Sequence, residues 1–161
     1  MDILDEQKVL SLDVEQLRRL VVTCLLLEGE RCDEVALHFV EKERMGELHQ
    51  RFFDDPEPTD CISLPMDEEE VEGYRHLGDL FVCPEVAREY GESHGEDPYR
   101  EVMLYVVHGL LHLMGYEDRE EEEILVMREA ERRHMEKLQI LGIHLMSSPS
   151  QRKEFGSRVI F

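Results

Sequence analysis

The sequence lacks paired cysteines and long apolar runs, and each absence argues against a class of protein. Its four cysteines form no C-x-x-C pair and lie among apolar residues, which argues against a zinc ribbon or a disulfide framework and predicts reduced, buried thiols. No stretch approaches the roughly 20 apolar residues that span a bilayer. Residues 1–6 carry neither the basic region nor the apolar run of a signal peptide. We therefore expect a cytoplasmic protein with no membrane partner.

Basic residues are also few. Lys and Arg together number 18 against 38 Asp and Glu, which gives a formal net charge of −20. An acidic protein repels phosphate at long range and gives up the counterion release that drives non-specific binding to nucleic acids. Indiscriminate RNA binding is therefore disfavoured. Contact with RNA would have to come from a local basic groove, from a metal ion that coordinates a phosphate oxygen, or from delivery by a partner protein.

A length of 161 residues with 42% hydrophobic content predicts one globular domain. We place this domain at residues 1–146. Residues 147–161 shift to Ser, Pro and basic side chains, including Arg152, Lys153 and Arg158. This segment is predicted to be a flexible basic tail, and only secondarily an arm that contacts RNA or a ribosomal surface.

Hydrophobic periodicity predicts an α+β fold. Helices are predicted over residues 13–28, 42–53, 84–95, 98–115 and 120–141. Strands are predicted over residues 8–12, 34–40, 59–65 and 77–83. The expected architecture is a small mixed four-stranded sheet packed with about five helices, with a functional site at the end of a buried helix.

The most informative stretch ends at Asp118 and has the spacing H-x-x-x-H-x-x-G-x-x-D. His108 and His112 are four residues apart, so on a helix they project from one face, one turn apart. Gly115 can adopt the left-handed conformation that ends a helix, which lets the chain turn back and bring Asp118 to the histidines. Three ligands with an open fourth position are typical of a catalytic zinc, because the open position holds the water that the metal acidifies.

This stretch has other interpretations. An isolated pair of histidines at helical spacing is more often a pair of core residues bonded to backbone or carboxylate groups. The added glycine and aspartate match the long zincin spacing and favour a metal site. Gly109 stands where metalloproteases carry their general-base glutamate, which argues against a peptidase. An iron oxygenase shares the two-histidine, one-carboxylate ligand set, but the helical spacing argues against it.

Three motifs taken together resemble the YbeY family of metal-dependent endoribonucleases and rRNA maturation factors. They are His108 to Asp118, Thr59 to Pro65, and Leu77 to Leu80. The resemblance extends from about the first strand to near Leu141. It implies a single-strand-specific endoribonuclease that acts in rRNA maturation, including processing of the 16S rRNA 3′ end, and in ribosome quality control. Single-stranded RNA, rRNA and the ribosome or its proteins are the implied partners.

The resemblance also implies site residues. The family's three histidine ligands correspond here to His108, His112 and Asp118, so one histidine is replaced by aspartate. One zinc ion per chain is expected, although a carboxylate ligand makes the site harder and admits other divalent metals. In the family the segment that holds Thr59, Asp60 and Ser63 lines the cleft opposite the metal helix. These three side chains are candidates to bind substrate or to orient a ligand, and turn or strand-end hydrogen bonding is the alternative.

Two further positions depart from the family. An asparagine and an arginine that is thought to help catalysis correspond here to His49 and Phe53. Arg51 is two residues from the second position, which moves a side chain about 200° around a helix, so the arginine's role does not transfer to it. No catalytic side chain is assigned beyond the metal site and its water. The alternative function is a non-catalytic ribosome-assembly or binding factor whose metal pins the turn at Asp118 to its helix.

Overall fold

The computed structural model describes residues 1–66 and 73–147 and the backbone of residues 158–160. Within these residues the chain forms five helices and five strands. The helices are α1 (Val14–Glu28), α2 (Lys42–Phe53), α3 (Pro84–His94), α4 (Pro98–Leu113) and α5 (Glu121–Ile140). The strands are β1 (Asp2–Asp5), β2 (Glu34–Phe39), β3 (Cys61–Pro65), β4 (His76–Val82) and β5 (Arg158–Ile160).

The strands form one mixed sheet in the order β3-β4-β2-β1-β5. Strand β2 pairs in parallel with β1 and with β4, and β3 is antiparallel to β4. Parallel neighbours require crossover connections, which α1 and α2 help to supply. Leu37 of β2 lies opposite Ile3 on one side and Leu80 on the other. The predicted α+β fold, with a small mixed sheet and five helices, is confirmed, and β5 adds a fifth strand to the predicted four.

The first strand was wrongly predicted at residues 8–12. The structure places β1 at Asp2–Asp5, with Ile3 buried. In the predicted segment the side chain of Gln7 competes with strand formation: its Oε1 accepts from the N–H groups of Val9 at 2.9 Å and Leu10 at 3.0 Å. Such local hydrogen bonds give the backbone an alternative to a sheet ladder. Only an isolated bridge between Leu12 and Met146 is formed there.

Strand β5 lies within the segment that was predicted to be a flexible tail. Its backbone pairs antiparallel with β1, with Asp2 opposite Ile160. Residues 67–72, 148–157 and 161 lie outside the described residues, together with the basic side chains predicted for the tail. The domain boundary at residue 146 therefore stays a prediction. No helix in the described part of the chain is long and apolar enough to cross a bilayer.

Helix α4 is the central element of the core. Asp97 caps its start by accepting a hydrogen bond from the Tyr99 N–H at 2.9 Å, and Pro98 suits the first turn because it needs no donor there. The buried side of α4 packs on the sheet and on α1, α3 and α5. It comprises nine residues: Val102, Met103, Tyr105, Val106, Val107, Gly109, Leu110, Leu111 and Leu113. The two histidines lie at the edge of this buried surface.

A glycine sets the distance between α4 and the sheet. A Cβ atom on Gly109 would lie 2.1 Å from Leu80 Cδ1, and Leu80 is fully buried. The carbonyl oxygen of Gly109 accepts a hydrogen bond from Ser63 Oγ of β3 at 3.1 Å. The absence of a side chain therefore lets α4 lie close to β4. This close approach positions the histidines on either side of Gly109 above the edge of β3.

Candidate metal centre

Three of the residues predicted from the sequence come together at the end of α4. His108 Nε2 lies 3.0 Å from His112 Nε2, and Asp118 Oδ2 lies 3.6 Å and 3.4 Å from these two nitrogens. The helix ends at Leu113, and Gly115 then takes a φ of 102°. This left-handed backbone turns the chain back, as its glycine predicted. One ligand atom from each of the three residues lies within 4.8 Å of the others, as a shared metal ion requires.

The second nitrogen of each imidazole faces a hydrogen-bond acceptor, which selects one tautomer of the neutral ring. His108 Nδ1 lies 3.0 Å from Glu131 Oε1, and His112 Nδ1 lies 2.9 Å from the carbonyl oxygen of Tyr116. Ionised carboxylate and carbonyl oxygens only accept, so both Nδ1–H groups donate. In the neutral rings the two Nε2 atoms therefore carry lone pairs, and neither can donate to the other. A divalent cation between them satisfies both nitrogens together with the Asp118 carboxylate, so the donor set fits a metal ion.

Glu131 makes the centre more negative. Burial raises the pKa of Glu131, but its hydrogen bond to His108 and the positive charges of His108 and Arg128 outweigh burial and lower it. Burial likewise lowers the pKa of His108, but Glu131 and then Asp118 outweigh it and raise that pKa. The Glu131 side chain is only 6% exposed and is also 3.3 Å from Arg128 Nη1. A buried carboxylate that stays ionised orients His108 and favours a cation at Nε2.

Sequence reasoning missed Glu131, although a signal for it was present. The buried positions of α5 form one apolar stripe that includes an acidic residue and a histidine: Met127, Ala130, Glu131, His134, Met135 and Leu138. Charged side chains are almost never buried unless they are paired. A glutamate on an apolar stripe therefore indicates a buried partner, although not which one.

The metal cluster, defined as His108, His112 and Asp118, lies in the wall of a pocket of about 520 Å³. Asp60 and Ser63, two of the three predicted substrate residues, also line this pocket, whereas Thr59 is not among its lining residues. Ser63 Oγ is bonded to α4, and Asp60 Oδ1 accepts from the Cys61 N–H at 2.7 Å and from Thr59 Oγ1 at 3.3 Å. These bonds hold the pocket wall in place, and a role in substrate binding stays a prediction.

Cys61 and Gly109 limit which side chains could act as a further metal ligand or as a general base in the pocket. Cys61 lines it, but burial and then the charge of Asp60 raise the pKa of its thiol well above the ordinary value. A raised pKa disfavours the thiolate, which is the form of cysteine that binds metals. Gly109 faces the buried Leu80 and is not among the pocket-lining residues. No glutamate can follow His108 here without displacing the core, which agrees with the argument against a peptidase mechanism.

Comparison with known proteins agrees with this geometry. The family model described as Endoribonuclease YbeY matches residues 2–139, which span every ligand of the metal cluster. The chain belongs to the YbeY family. A relative named Endoribonuclease YbeY from Protochlamydia amoebophila (strain UWE25) is 48% identical over 141 residues, or 88% of this chain and 94% of the relative. Another of that name, from Chlamydia trachomatis serovar D, is 40% identical over 79% of this chain and 80% of the relative.

A solved structure shares the family fold. The solution structure of TM1509 from Thermotoga maritima superposes with a TM-score of 0.62 at 26% sequence identity, covering 87% of this chain and 89% of that chain. The resemblance that three short motifs indicated is therefore confirmed as family membership.

The two positions that depart from the family lie at the end of α2. Phe53 is the last residue of this helix, is 56% exposed and lines the metal pocket. His49 Nδ1 lies 2.6 Å from the carbonyl oxygen of Glu57. The guanidinium of Arg51 lies over the ring of Phe52, 5.4 Å from its centre, and Arg51 is not among the residues that line the pocket. Arg51 therefore contributes nothing to the lining of this pocket, and the expectation that it does not take the role of the family's arginine stays a prediction.

Proposed function

We propose that this protein is a metal-dependent endoribonuclease that cleaves single-stranded RNA during rRNA maturation, including the 16S rRNA 3′ end, and in ribosome quality control. Membership of the YbeY family and the relatives' name support RNA cleavage. The single observation that carries the proposal is the pair of imidazole nitrogens that face each other 3.0 Å apart beside Asp118 in a pocket wall. Such a centre is open to a substrate on one side.

The proposed cofactor is one zinc ion per chain, held by His108, His112 and Asp118. Two imidazole nitrogens and one carboxylate oxygen form a donor set that zinc accepts in catalytic sites. When bound, the ion would act as a Lewis acid that polarises a phosphate oxygen and acidifies a water. The protein's part is to orient both histidines so that each Nε2 faces the ion, through the Glu131 carboxylate and the Tyr116 carbonyl.

The charge of the protein bears on how RNA reaches this pocket. With a net charge of −20, the surface as a whole repels phosphate. Positive charge is instead local, because Arg75 and Arg119 both line the metal pocket. We propose that rRNA is engaged at this pocket while the ribosome or its proteins present it, because long-range attraction cannot gather free RNA.

The test is cleavage of a labelled single-stranded RNA by the zinc-loaded protein, compared with His112→Ala. Loss of one ligand should abolish metal-dependent cleavage and zinc retention while the circular dichroism spectrum is unchanged. His94→Ala is the matched control, because His94 is exposed at the end of α3, where it stacks on Tyr90 and bonds to the Tyr90 carbonyl oxygen, away from the metal pocket. Equal cleavage by the unmutated protein and His112→Ala would exclude this centre from the reaction.

A second arm of the test addresses the structural-metal alternative. If the metal serves only to pin the Asp118 turn, the zinc-loaded protein should cleave no RNA, and stripping the metal should unfold it. If the metal serves catalysis, metal-stripped protein should keep its cooperative unfolding transition, because the core does not pass through the metal cluster. Thermal unfolding with and without a chelator separates the two outcomes.

A further inference from the structure

Two arginines line the metal pocket, and their environments differ. Arg75 Nη2 lies 3.2 Å from Glu30 Oε1, and its side chain is only 24% exposed. Arg119 is exposed and forms no ion pair or hydrogen bond with any residue in the described ranges 1–66 and 73–147. It directly follows Asp118 in the chain. Arg119 therefore holds a positive charge at the edge of the metal pocket that no described residue pairs with.

Stability does not explain an arginine at this position. Arg119 precedes Glu120, the N-cap of α5, so its charge lies beside the positive end of the helix dipole. Cations at a helix N-terminus are unfavourable, whereas the acidic residues that follow are favourable there. The Arg119 charge therefore lowers the stability of α5, and no ion pair with a described residue offsets this loss. A free guanidinium facing a pocket is suited instead to bind an anion, and its planar fork matches two phosphate oxygens.

An exposed aromatic ring also lines the same pocket. Phe53 is 56% exposed, and its ring packs against His49, one helical turn earlier, with 5.5 Å between the ring centres and a 52° tilt. The histidine is itself held by its bond to the Glu57 carbonyl. The contact holds one side of the ring, while most of its surface faces solvent. An exposed ring of this kind can stack with a nucleobase, because every base has an apolar face.

We propose that Arg119 and Phe53 form an RNA subsite of the metal pocket, in which Arg119 binds a phosphate next to the one at the metal and Phe53 stacks on a neighbouring base. The inference rests on the proposed function, because it takes RNA as the ligand of the pocket. It also gives a physical reason for single-strand preference. Bases in a duplex already stack on each other and cannot leave that stack for Phe53 without a cost.

The test measures binding, so that it does not depend on cleavage. The zinc-loaded full chain is titrated with a fluorescent single-stranded RNA, and the RNA recovered after each titration is checked by gel electrophoresis to be uncut. Arg119→Ala and Phe53→Ala should each weaken binding about tenfold, the size typical of one phosphate contact or one stacked base. Arg100→Ala and Phe52→Ala are the matched controls. Arg100 lines a different pocket, and Phe52 is 43% exposed but does not line the metal pocket.

Two further readouts separate the two roles. Losing one phosphate contact should lower the slope of log affinity against log salt by about 0.7 for Arg119→Ala, with no change for Phe53→Ala. An abasic strand should bind the unmutated protein and Phe53→Ala equally, while Arg119→Ala still weakens it. Arg119→Lys should recover part of the affinity, and Phe53→Trp should recover it fully. Recovery by these conservative variants excludes a general loss of folding as the cause.

The outcomes distinguish the subsite from the proposed function. If both alanine variants bind like their controls, or if Phe53→Ala weakens the binding of duplex RNA as much as that of single-stranded RNA, the subsite proposal is overturned. In that case RNA cleavage that is lost in His112→Ala would leave the proposed function standing. If the subsite variants weaken binding as expected but no RNA is cleaved, the subsite stands as a binding site and the proposed nuclease activity fails.

Discussion

Two histidine–carboxylate clusters meet at Tyr116, and only one of them is open to a ligand. The metal cluster is bonded to the Tyr116 carbonyl oxygen through His112. The second, which we call the buried cluster after its fully buried His134, consists of Glu28, Tyr116, His134 and the exposed Arg133. In it, Glu28 Oε1 accepts from the Tyr116 hydroxyl at 2.9 Å, from His134 Nε2 at 2.9 Å and from Arg133 Nη2 at 3.2 Å. The two clusters contain similar side chains, but only the metal cluster presents free imidazole nitrogens to a ligand.

The difference lies in which imidazole nitrogen is satisfied by the protein. His134 is fully buried and its Nε2 is hydrogen-bonded to Glu28, while its Nδ1 has no partner among the described residues. His108 and His112 donate their Nδ1–H groups to protein acceptors. Both Nε2 lone pairs therefore face the same position beside Asp118. A carboxylate near a histidine is therefore not enough to make a metal site. The ligand nitrogens must be free and convergent.

The largest expected contrast comes from removing one carboxylate from each cluster. Asp118→Ala should lower zinc affinity about a hundredfold or more, because it removes a direct ligand. Glu28→Ala should leave zinc affinity within about threefold, because Glu28 contacts no ligand side chain. Competition with a chromophoric chelator measures both affinities. Comparable losses in the two variants would mean that the clusters act as one unit.

The next contrast concerns the carboxylate that orients His108. Glu131→Gln should lower zinc affinity about tenfold or more, since an uncharged amide holds the imidazole less strongly. Glu129→Gln is the matched control on the same helix, where Glu129 is paired only with the exposed Arg132. The same chelator competition applies. An unchanged affinity in Glu131→Gln would show that Glu131 does not orient the ligand.

The buried cluster should contribute to stability in a pH-dependent way. Burial raises the pKa of Glu28, but the hydrogen bonds from His134 and Tyr116 and the nearby positive charges outweigh it, so the pKa is lowered. A carboxyl whose pKa is lower in the folded state stabilises the fold above its unfolded pKa, and this contribution is lost as pH falls through the lowered value. Glu28→Gln should therefore destabilise the fold by about 1–3 kcal/mol at pH 7.

The destabilisation should shrink in acid, because protonated Glu28 in the unmutated protein loses the same interactions. Urea unfolding of metal-free protein at pH 7 and near pH 3 measures this. Glu47→Gln is the control, because Glu47 is 60% exposed and paired with Arg44 on the surface, where a pair contributes little. A pH-independent difference for Glu28→Gln would contradict an ionised Glu28 in the folded protein.

The smallest effects are expected for a variant of Tyr116, the residue that contacts both clusters. Tyr116→Phe removes the hydroxyl from Glu28 but keeps the backbone carbonyl that holds His112. We expect a loss of about 0.5–1.5 kcal/mol in the free energy of unfolding and a zinc affinity within about twofold of the unmutated protein. Tyr74→Phe removes a similar bond to Glu34 from an exposed tyrosine and should change stability less. A large loss of zinc affinity in Tyr116→Phe would show coupling through the side chain.

The metal ligands were predictable because their arrangement is local. Helical geometry alone places His108 and His112 on one face, and a glycine then allows the turn that brings Asp118 back. The first strand was not predictable by the same means, because Lys8 to Leu12 has an apolar pattern that the side chain of Gln7 overrides with local hydrogen bonds. A pattern of hydrophobic residues does not report such competition.

The sequence by itself therefore determined the fold class, the three converging side chains and the absence of a general-base glutamate after His108. Only the tertiary structure decided which histidines are free to bind metal. That choice depends on Glu131, 23 residues from His108, and on Glu28, 106 residues from His134. These contacts arise from how α1, α4 and α5 pack. Spacing along one helix follows from its pitch, whereas contacts between helices depend on side-chain packing across the whole core.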